Sequence, residues 1–120
     1  MKLEEIFANA PAVIDQAQRE HYYDRGYLVF PSLIDAETLV PLRAAADRIV
    51  QKTRDLTESS REIDLENNHT AENPRLRRAA YLDDLDFEFW GICADSVIPD
   101  IAADLLGPNV RFREIMLNFK

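Results

Sequence analysis

Cysteine and glycine are scarce in this 120-residue chain, and each shortage excludes a class of site. The single cysteine, Cys93, can form neither an internal disulfide nor a multi-cysteine zinc site. Because Cys93 lies in the apolar segment WGICADSVI, we interpret it as a small buried residue rather than a nucleophile. Gly26, Gly91 and Gly107 lie far apart, so the chain has no glycine-rich phosphate loop.

Long apolar runs and an excess of basic residues are also missing. No stretch of about 18 apolar residues occurs, and the N-terminal MKLEEIFANA lacks the basic region and apolar core of a secretion signal. The 14 basic and 22 acidic residues give a net charge of -8, which opposes general binding to nucleic acid or to an anionic membrane. We therefore expect a cytoplasmic protein without nucleic-acid or membrane partners.

The first half of the chain predicts a helix, a short strand and a second helix. The segment Ile14–Arg25 has helical spacing, and Gly26 provides a stop signal. Tyr27–Phe30 is a run of strand-forming residues that Pro31 ends. Asp35 can cap the next helix, and its buried face is predicted from apolar residues at helical spacing, namely Leu39, Leu42, Ala46, Ile49 and Val50.

The second half predicts a long loop followed by two helices. The segment Leu56–Pro74 is polar and has no sustained period, which indicates a loop. From Arg75 the apolar residues follow helical spacing, and Ser96 can cap a further helix, Val97–Leu106, that Gly107 terminates. In the first of these helices, the residues at helical spacing are Leu82, Leu85, Phe89 and Ile92.

The last segment, Val110–Lys120, predicts a strand with two different faces. Side chains alternate across a strand, so one face is apolar and the other is mostly polar. The apolar face consists of Ile115, Leu117 and Phe119, and the other face of Glu114, Met116, Asn118 and Lys120.

Two groups of motifs occur in an order that resembles a known family. The first contains a glycine-tyrosine-hydrophobic strand ending at Pro31 and an arginine-aspartate helix pattern, Leu42-Arg43 to Asp47. The second contains LLGPNV, Leu105–Val110, and the strand end LNFK, Leu117–Lys120. This order resembles the start of the phytanoyl-CoA dioxygenase family of iron(II) and 2-oxoglutarate-dependent oxygenases.

The resemblance implies a fold and an activity. It implies an α+β fold, with N-terminal helices and the first strands of an incomplete double-stranded β-helix, a jelly-roll or cupin-like barrel. Residues 1–120 would be the N-terminal part of a single domain that stops before the metal-binding motif. The longer protein would bind Fe(II) and 2-oxoglutarate and hydroxylate a small organic substrate, whereas these residues alone would bind neither group and would be inactive.

The resemblance also implies which residues would contact the cosubstrate. Glu114, Met116 and Asn118 would face the barrel lumen, and the family places a 2-oxoglutarate contact at the position of Met116. Asn118 and Lys120 share that face and are the other expected cosubstrate-binding residues. The apolar face of the same strand would pack under the helices.

No iron triad is expected in residues 1–120. The family draws two ligands from H-x-D, but the carboxylates that follow His21 and His69 each lie three places along. We interpret His21 as a packing residue on a helix. For His69, in the polar loop, a solvated residue and a substrate contact remain alternatives.

A basic residue that some family members direct at the cosubstrate has no clear counterpart here. The corresponding position falls nearest Ala79, with Arg78 adjacent. Arg77 and Arg78 are expected to face solvent or to pair with the acidic cluster that follows. That cluster, which lacks the spacing of a calcium loop, comprises Asp83, Asp84 and Asp86.

A second reading of the chain belongs to another functional class. The chain could be a small acidic helical module that binds a partner protein and has no enzymatic activity. The nucleotide sequence beyond the codon for Lys120 distinguishes the two, because the enzyme requires an open frame that encodes H-x-D. In either case an incomplete set of strands favours self-association.

Overall fold

The computed structural model describes residues 2–120 and contains six helices and three strands within them. The helices are α1 (Leu3–Phe7), α2 (Gln16–Arg25), α3 (Ala36–Lys52), α4 (Leu82–Leu85), α5 (Glu88–Ala94) and α6 (Ile98–Leu106). The strands are β1 (Ile63–Leu65), β2 (Leu76–Ala80) and β3 (Met116–Asn118). Helices combined with an antiparallel sheet confirm the predicted α+β class.

The chain divides into two compact units, which we describe separately. The helical unit contains the residues up to Leu33 together with Ile92–Phe112, and the sheet unit contains Ile34–Gly91 and Arg113–Lys120. Among residues 2–120, no helix combines the length and the apolar character needed to cross a membrane.

Helix α2 of the helical unit ends at Gly26, as predicted, and begins at Gln16, two residues after the predicted start at Ile14. The Asp15 carboxylate accepts a hydrogen bond from the Gln18 backbone N–H at 2.7 Å, and Gly26 ends the helix with a φ of 83°, which glycine adopts without steric cost. The core of this unit is made by Ile14, Ile101 and Leu105, against which Tyr22, Leu28, Phe30 and Val97 pack.

Helix α3 of the sheet unit covers one face of the sheet. Asp35 caps it, as predicted, by accepting from the Thr38 N–H at 2.7 Å. The buried core combines the fully packed Ala45 and Ile49 of α3 with residues of the sheet and of α4 and α5, namely Ile63, Leu76, Ala79, Leu82 and Phe89.

The three strands form one antiparallel sheet in the order β1-β2-β3. Ala79 lies opposite Ile63 on one side and opposite Leu117 on the other, and all three contribute to the core. The pairing of β1 with β2 shifts between Asp64 and Leu65, so Arg77 lies opposite no residue of β1.

The prediction that Tyr27–Phe30 forms a strand of a sheet is wrong. The segment keeps strand-like alternation, since Leu28 and Phe30 pack into the helical core while Tyr27 and Val29 are 57% and 70% exposed. Its backbone pairs with no other strand of residues 2–120. The run of strand-forming residues could not supply a neighbouring strand, because a sheet needs a long-range partner.

The predictions for the middle of the chain need two corrections. The polar segment Leu56–Pro74 is not wholly a loop, because it contains β1. The helix expected from Arg75 is wrong over its first turn, where Leu76–Ala80 forms β2, and the remainder breaks into α4 and α5. Pairing with β1 and β3 overrides the helix propensity of LRRAA.

Candidate functional site

Strand β3 presents the two faces that the sequence predicted. Ile115, Leu117 and Phe119 pack against the core of the sheet unit. Met116, by contrast, is 40% exposed, and Asn118 is exposed as well. The alternation is therefore confirmed, but the predicted strand Val110–Lys120 is too long, since only Met116–Asn118 is strand. The polar side of β3 lies on the sheet face opposite the core.

A row of polar residues crosses this second face of the sheet. Asn118 of β3 pairs with Arg78 of β2, and Arg78 pairs with Asp64 of β1. Met116 pairs with Ala80 in the neighbouring row. Directly paired residues share a face with their Cβ atoms about 4.5–5.5 Å apart. We call these five residues, of which only Ala80 is buried, the outward sheet face.

The Arg78 guanidinium is the uncommitted charge on the outward sheet face. The neighbouring Arg77 lies 3.8 Å from the Asp64 carboxylate and 3.5 Å from the Glu66 carboxylate, so these two acids already have a cationic partner. Within residues 2–120, Arg78 forms no ion pair. An exposed arginine beside an amide and a thioether can bind an incoming carboxylate through two parallel hydrogen bonds.

Sequence reasoning missed Arg78 as a site residue. The approximate alignment pointed to Ala79, which is fully buried in the core. The missing signal was the pairing register, because only the Arg78 to Asn118 pair shows that Arg78 shares a face with the predicted site residues. The register can be inferred only if β2 is known to be a strand. Its composition favours a helix, so the sequence does not indicate one.

Lys120 lies beyond the end of β3 and lines a groove at that end of the sheet. The groove has a volume of about 260 Å³. Arg75 and Glu66 also line it, and Phe119 contributes part of its apolar wall. Lys120 is therefore not a member of the paired rows of the outward sheet face, and the groove that it lines also contains the core-side residues Val50 and Leu76.

His69 has a structural role in the loop between β1 and β2. Its Nδ1 accepts a hydrogen bond from the Arg75 N–H at 2.9 Å, so the proton lies on Nε2, which donates to the Arg54 carbonyl at 3.1 Å. Both ring nitrogens are thus used by backbone groups. The expected alternatives were a solvated residue or a substrate contact. His69 instead bridges the Arg54 carbonyl and the Arg75 N–H and holds the loop, and we call this bridge the His69 clip.

The other candidate metal ligands are also engaged or isolated. His21 makes an edge contact with the Tyr27 ring, with centroids 5.4 Å apart, which agrees with a packing role. No group of three histidine, cysteine, aspartate or glutamate side chains suited to a metal occurs within residues 2–120.

The acidic cluster after β2 is paired differently from the prediction. Asp86 accepts two hydrogen bonds from Arg48 of α3, at 2.8 and 2.9 Å, and not from Arg77 or Arg78. The hydrogen bonds from Arg48 hold the pKa of Asp86 below its ordinary value, against a smaller opposing effect of burial. Of the two alternatives expected for Arg77 and Arg78, exposure to solvent is confirmed and pairing with this cluster is not, because β2 turns Arg77 toward Asp64 and leaves Arg78 exposed.

Comparisons of the chain with protein-family models, curated proteins and solved structures find no match. The resemblance to the phytanoyl-CoA dioxygenase family therefore stays a prediction from the sequence motifs.

Proposed function

We propose that residues 1–120 are the N-terminal part of an Fe(II) and 2-oxoglutarate-dependent oxygenase that hydroxylates a small organic substrate. In this proposal the chain belongs to the phytanoyl-CoA dioxygenase family, and the outward sheet face is one wall of the cosubstrate site. The observation that carries the proposal is the placement of Arg78, unpaired, beside Asn118 and on the same face as Met116.

The chemistry of this face suits a dicarboxylate. The Arg78 guanidinium offers paired N–H donors to one carboxylate of 2-oxoglutarate, and the Asn118 amide can donate a further hydrogen bond. Met116 supplies an adaptable apolar contact for the methylene groups. Lys120, the third expected cosubstrate-binding residue, lines the groove beyond β3 together with Arg75.

The arrangement of the sheet supports a barrel wall. Helix α3 and the short helices α4 and α5 cover one face of an antiparallel sheet, while the polar face remains exposed. A double-stranded β-helix needs strands of this kind, with an apolar outer side under helices and a polar inner side toward a ligand. The complete barrel and the iron ligands would come from residues outside 1–120.

The first experiment determines whether the longer enzyme exists and turns over its cosubstrate. The open reading frame beyond the codon for Lys120 should encode H-x-D within a few tens of residues. The longer protein, incubated with Fe(II), ascorbate and 2-oxoglutarate, should produce succinate, whereas residues 1–120 alone should produce none above a buffer control. A frame without H-x-D would favour the interaction-module alternative.

The second experiment tests the assignment of the outward sheet face. Arg78→Ala in the longer enzyme should weaken apparent 2-oxoglutarate affinity about 10- to 100-fold, since a hydrogen bond to a charged group contributes about 1.5–3 kcal/mol. Met116→Asp should also weaken it, because an added anion repels the dianionic cosubstrate.

Leu117→Ala is the matched control on the opposite face of β3. It removes packing from the partly buried core side and should lower the unfolding free energy by about 1–3 kcal/mol with cosubstrate affinity almost unchanged. If Arg78→Ala and Met116→Asp bind 2-oxoglutarate like the wild type while Leu117→Ala loses affinity when fully folded, the facing assignment is inverted.

A further inference from the structure

A buried arginine in the helical unit has part of its hydrogen-bonding capacity unused. Arg19 of α2 is 1% exposed. Its Nη1 donates to the Ile6 carbonyl at 3.0 Å and to the Asn9 carbonyl at 2.7 Å, which ties α1 to α2. Its Nε is buried and has no partner among residues 2–120. A buried guanidinium donor without an acceptor is costly, so an acceptor is expected there.

A cavity borders this arginine. It has a volume of about 220 Å³ and is lined by Arg19, by the two residues whose carbonyls hold Nη1, and by small residues of α6 and the turn after it. The complete lining is Ile6, Asn9, Ala10, Arg19, Ala103, Asp104, Gly107 and Pro108. The volume far exceeds the roughly 30 Å³ that one water occupies in the liquid, so the cavity can hold a small organic molecule.

The one carboxylate of the cavity is already saturated with hydrogen bonds. Asp104 accepts from the backbone N–H groups of Ala12, Val13 and Ile14 at 2.8, 2.7 and 3.1 Å. Arg19 and Asp104 form no ion pair, although both line the cavity. The charge of Arg19 acts on Asp104 through space and helps to lower the pKa of that carboxyl group, but the Arg19 Nε–H still has no hydrogen-bond acceptor among residues 2–120.

We propose that the cavity beside Arg19 is a binding site for a short-chain monocarboxylate. The Nε–H and the adjacent Nη2–H of a guanidinium form a flat pair of donors whose spacing matches the two oxygens of one carboxylate. The small apolar walls from Ala10, Ala103 and Pro108 limit the tail to a few carbons. This site lies in the helical unit and goes beyond the cosubstrate site proposed for the outward sheet face.

The test is a titration of the isotope-labelled chain with propionate, followed by NMR at constant ionic strength. We expect saturable shifts of the Arg19 Nε–H signal and of the Ala103 and Gly107 amides. Propionamide, which has the same shape without the charge, should produce shifts at least tenfold weaker at equal concentration. Sodium chloride at equal ionic strength should produce none that saturate.

Two variants separate the site from the fold. Ala103→Leu fills the cavity without touching the Arg19 hydrogen bonds and should weaken propionate binding at least tenfold with α2 amide signals retained. Ala10→Val, at the other wall, is the second cavity-filling variant if Ala103→Leu unfolds. Ala44→Leu on the exposed side of α3 is the matched control and should bind propionate like the wild type.

Three results would overturn the proposal. Absence of saturation in the wild type means that water alone satisfies the guanidinium. Equal shifts with propionamide mean that the cavity does not select a carboxylate. Unchanged propionate affinity in a folded cavity-filling variant places the ligand elsewhere.

Discussion

At the scale of single residues, some charged groups are held by the backbone or by one partner, and others, including Arg78, are not. Asp104 and Asp86 are each held by specific donors, whereas Arg78 has no ionic partner among residues 2–120. A sequence shows which residues can be charged. It does not show which of them are satisfied, since that depends on contacts between distant segments.

The Asp104 carboxylate gives a pH-dependent contribution to stability. Burial raises its pKa, but the N–H groups of Ala12, Val13 and Ile14 outweigh this effect, so the pKa of Asp104 lies below its ordinary value. A lowered folded-state pKa stabilises the fold above the ordinary aspartate pKa, and that stability is lost as pH falls through the folded-state value.

Asp104→Asn should therefore lower the unfolding free energy by about 1–3 kcal/mol at pH 7, with a smaller loss in acid. Urea denaturation at pH 7 and at acidic pH measures both effects. Asp100→Asn, at an exposed position of the same helix, is the control and should change neither value appreciably. Equal losses for Asp104→Asn at both pH values would contradict the role of the charge.

Loss of the ion pair between Arg48 and Asp86 should change the pKa of Asp86. Asp86 has a side chain that is only 9% exposed, and Arg48 holds its pKa below the ordinary value. Arg48→Met keeps the length of the side chain but removes both donors, so the pKa of Asp86 should rise. Carbon-detected NMR titration of the carboxyl groups measures it, with the exposed Arg43→Met on the same helix as control. An unchanged Asp86 midpoint in Arg48→Met would refute the assignment.

At the scale of elements, local signals specified the long helices, and long-range pairing specified the strands. Gly26 ends α2 and Asp35 caps α3 as the sequence predicted, because these signals depend on residues a few positions apart. Strand β1 is three residues long within a polar segment and β2 is rich in helix formers. Neither carries a local strand signal, so the candidate site could be predicted on β3 but not across the sheet.

The loop between β1 and β2 depends on His69 in a way that mutation can measure. His69→Ala leaves the Arg75 N–H and the Arg54 carbonyl without their partner. Since these groups are partly exposed, the expected loss of unfolding free energy is about 1 kcal/mol. Hydrogen exchange at the Arg75 amide should accelerate, whereas the exposed loop variant Asn68→Ala should leave it unchanged. Equal exchange rates in both variants would show that the clip contributes nothing.

At the scale of the whole molecule, the exposed edge of the sheet determines how the 120-residue chain behaves alone. The outer edge of β1 is partly covered by its own preceding turn, because the Leu65 N–H donates to Ser59 and the Ile63 N–H donates to Ser60. No equivalent cover lies along β3 within residues 2–120, where β2 is its one neighbour. An uncovered edge with an adjacent apolar side chain, here Met116, favours pairing with a second copy.

We expect residues 1–120 to associate at high concentration through β3, and Met116→Lys to weaken that association at least tenfold, because a charge on an edge strand opposes strand pairing. Sedimentation equilibrium over a range of concentrations measures the dissociation constant. Val40→Lys adds the same charge on α3, where Val40 is 66% exposed, and should leave the constant unchanged. A monomer at every concentration, with a cooperative thermal transition, would show that the β3 edge is protected. Equal weakening by both substitutions would show that net charge, rather than the β3 edge, governs association.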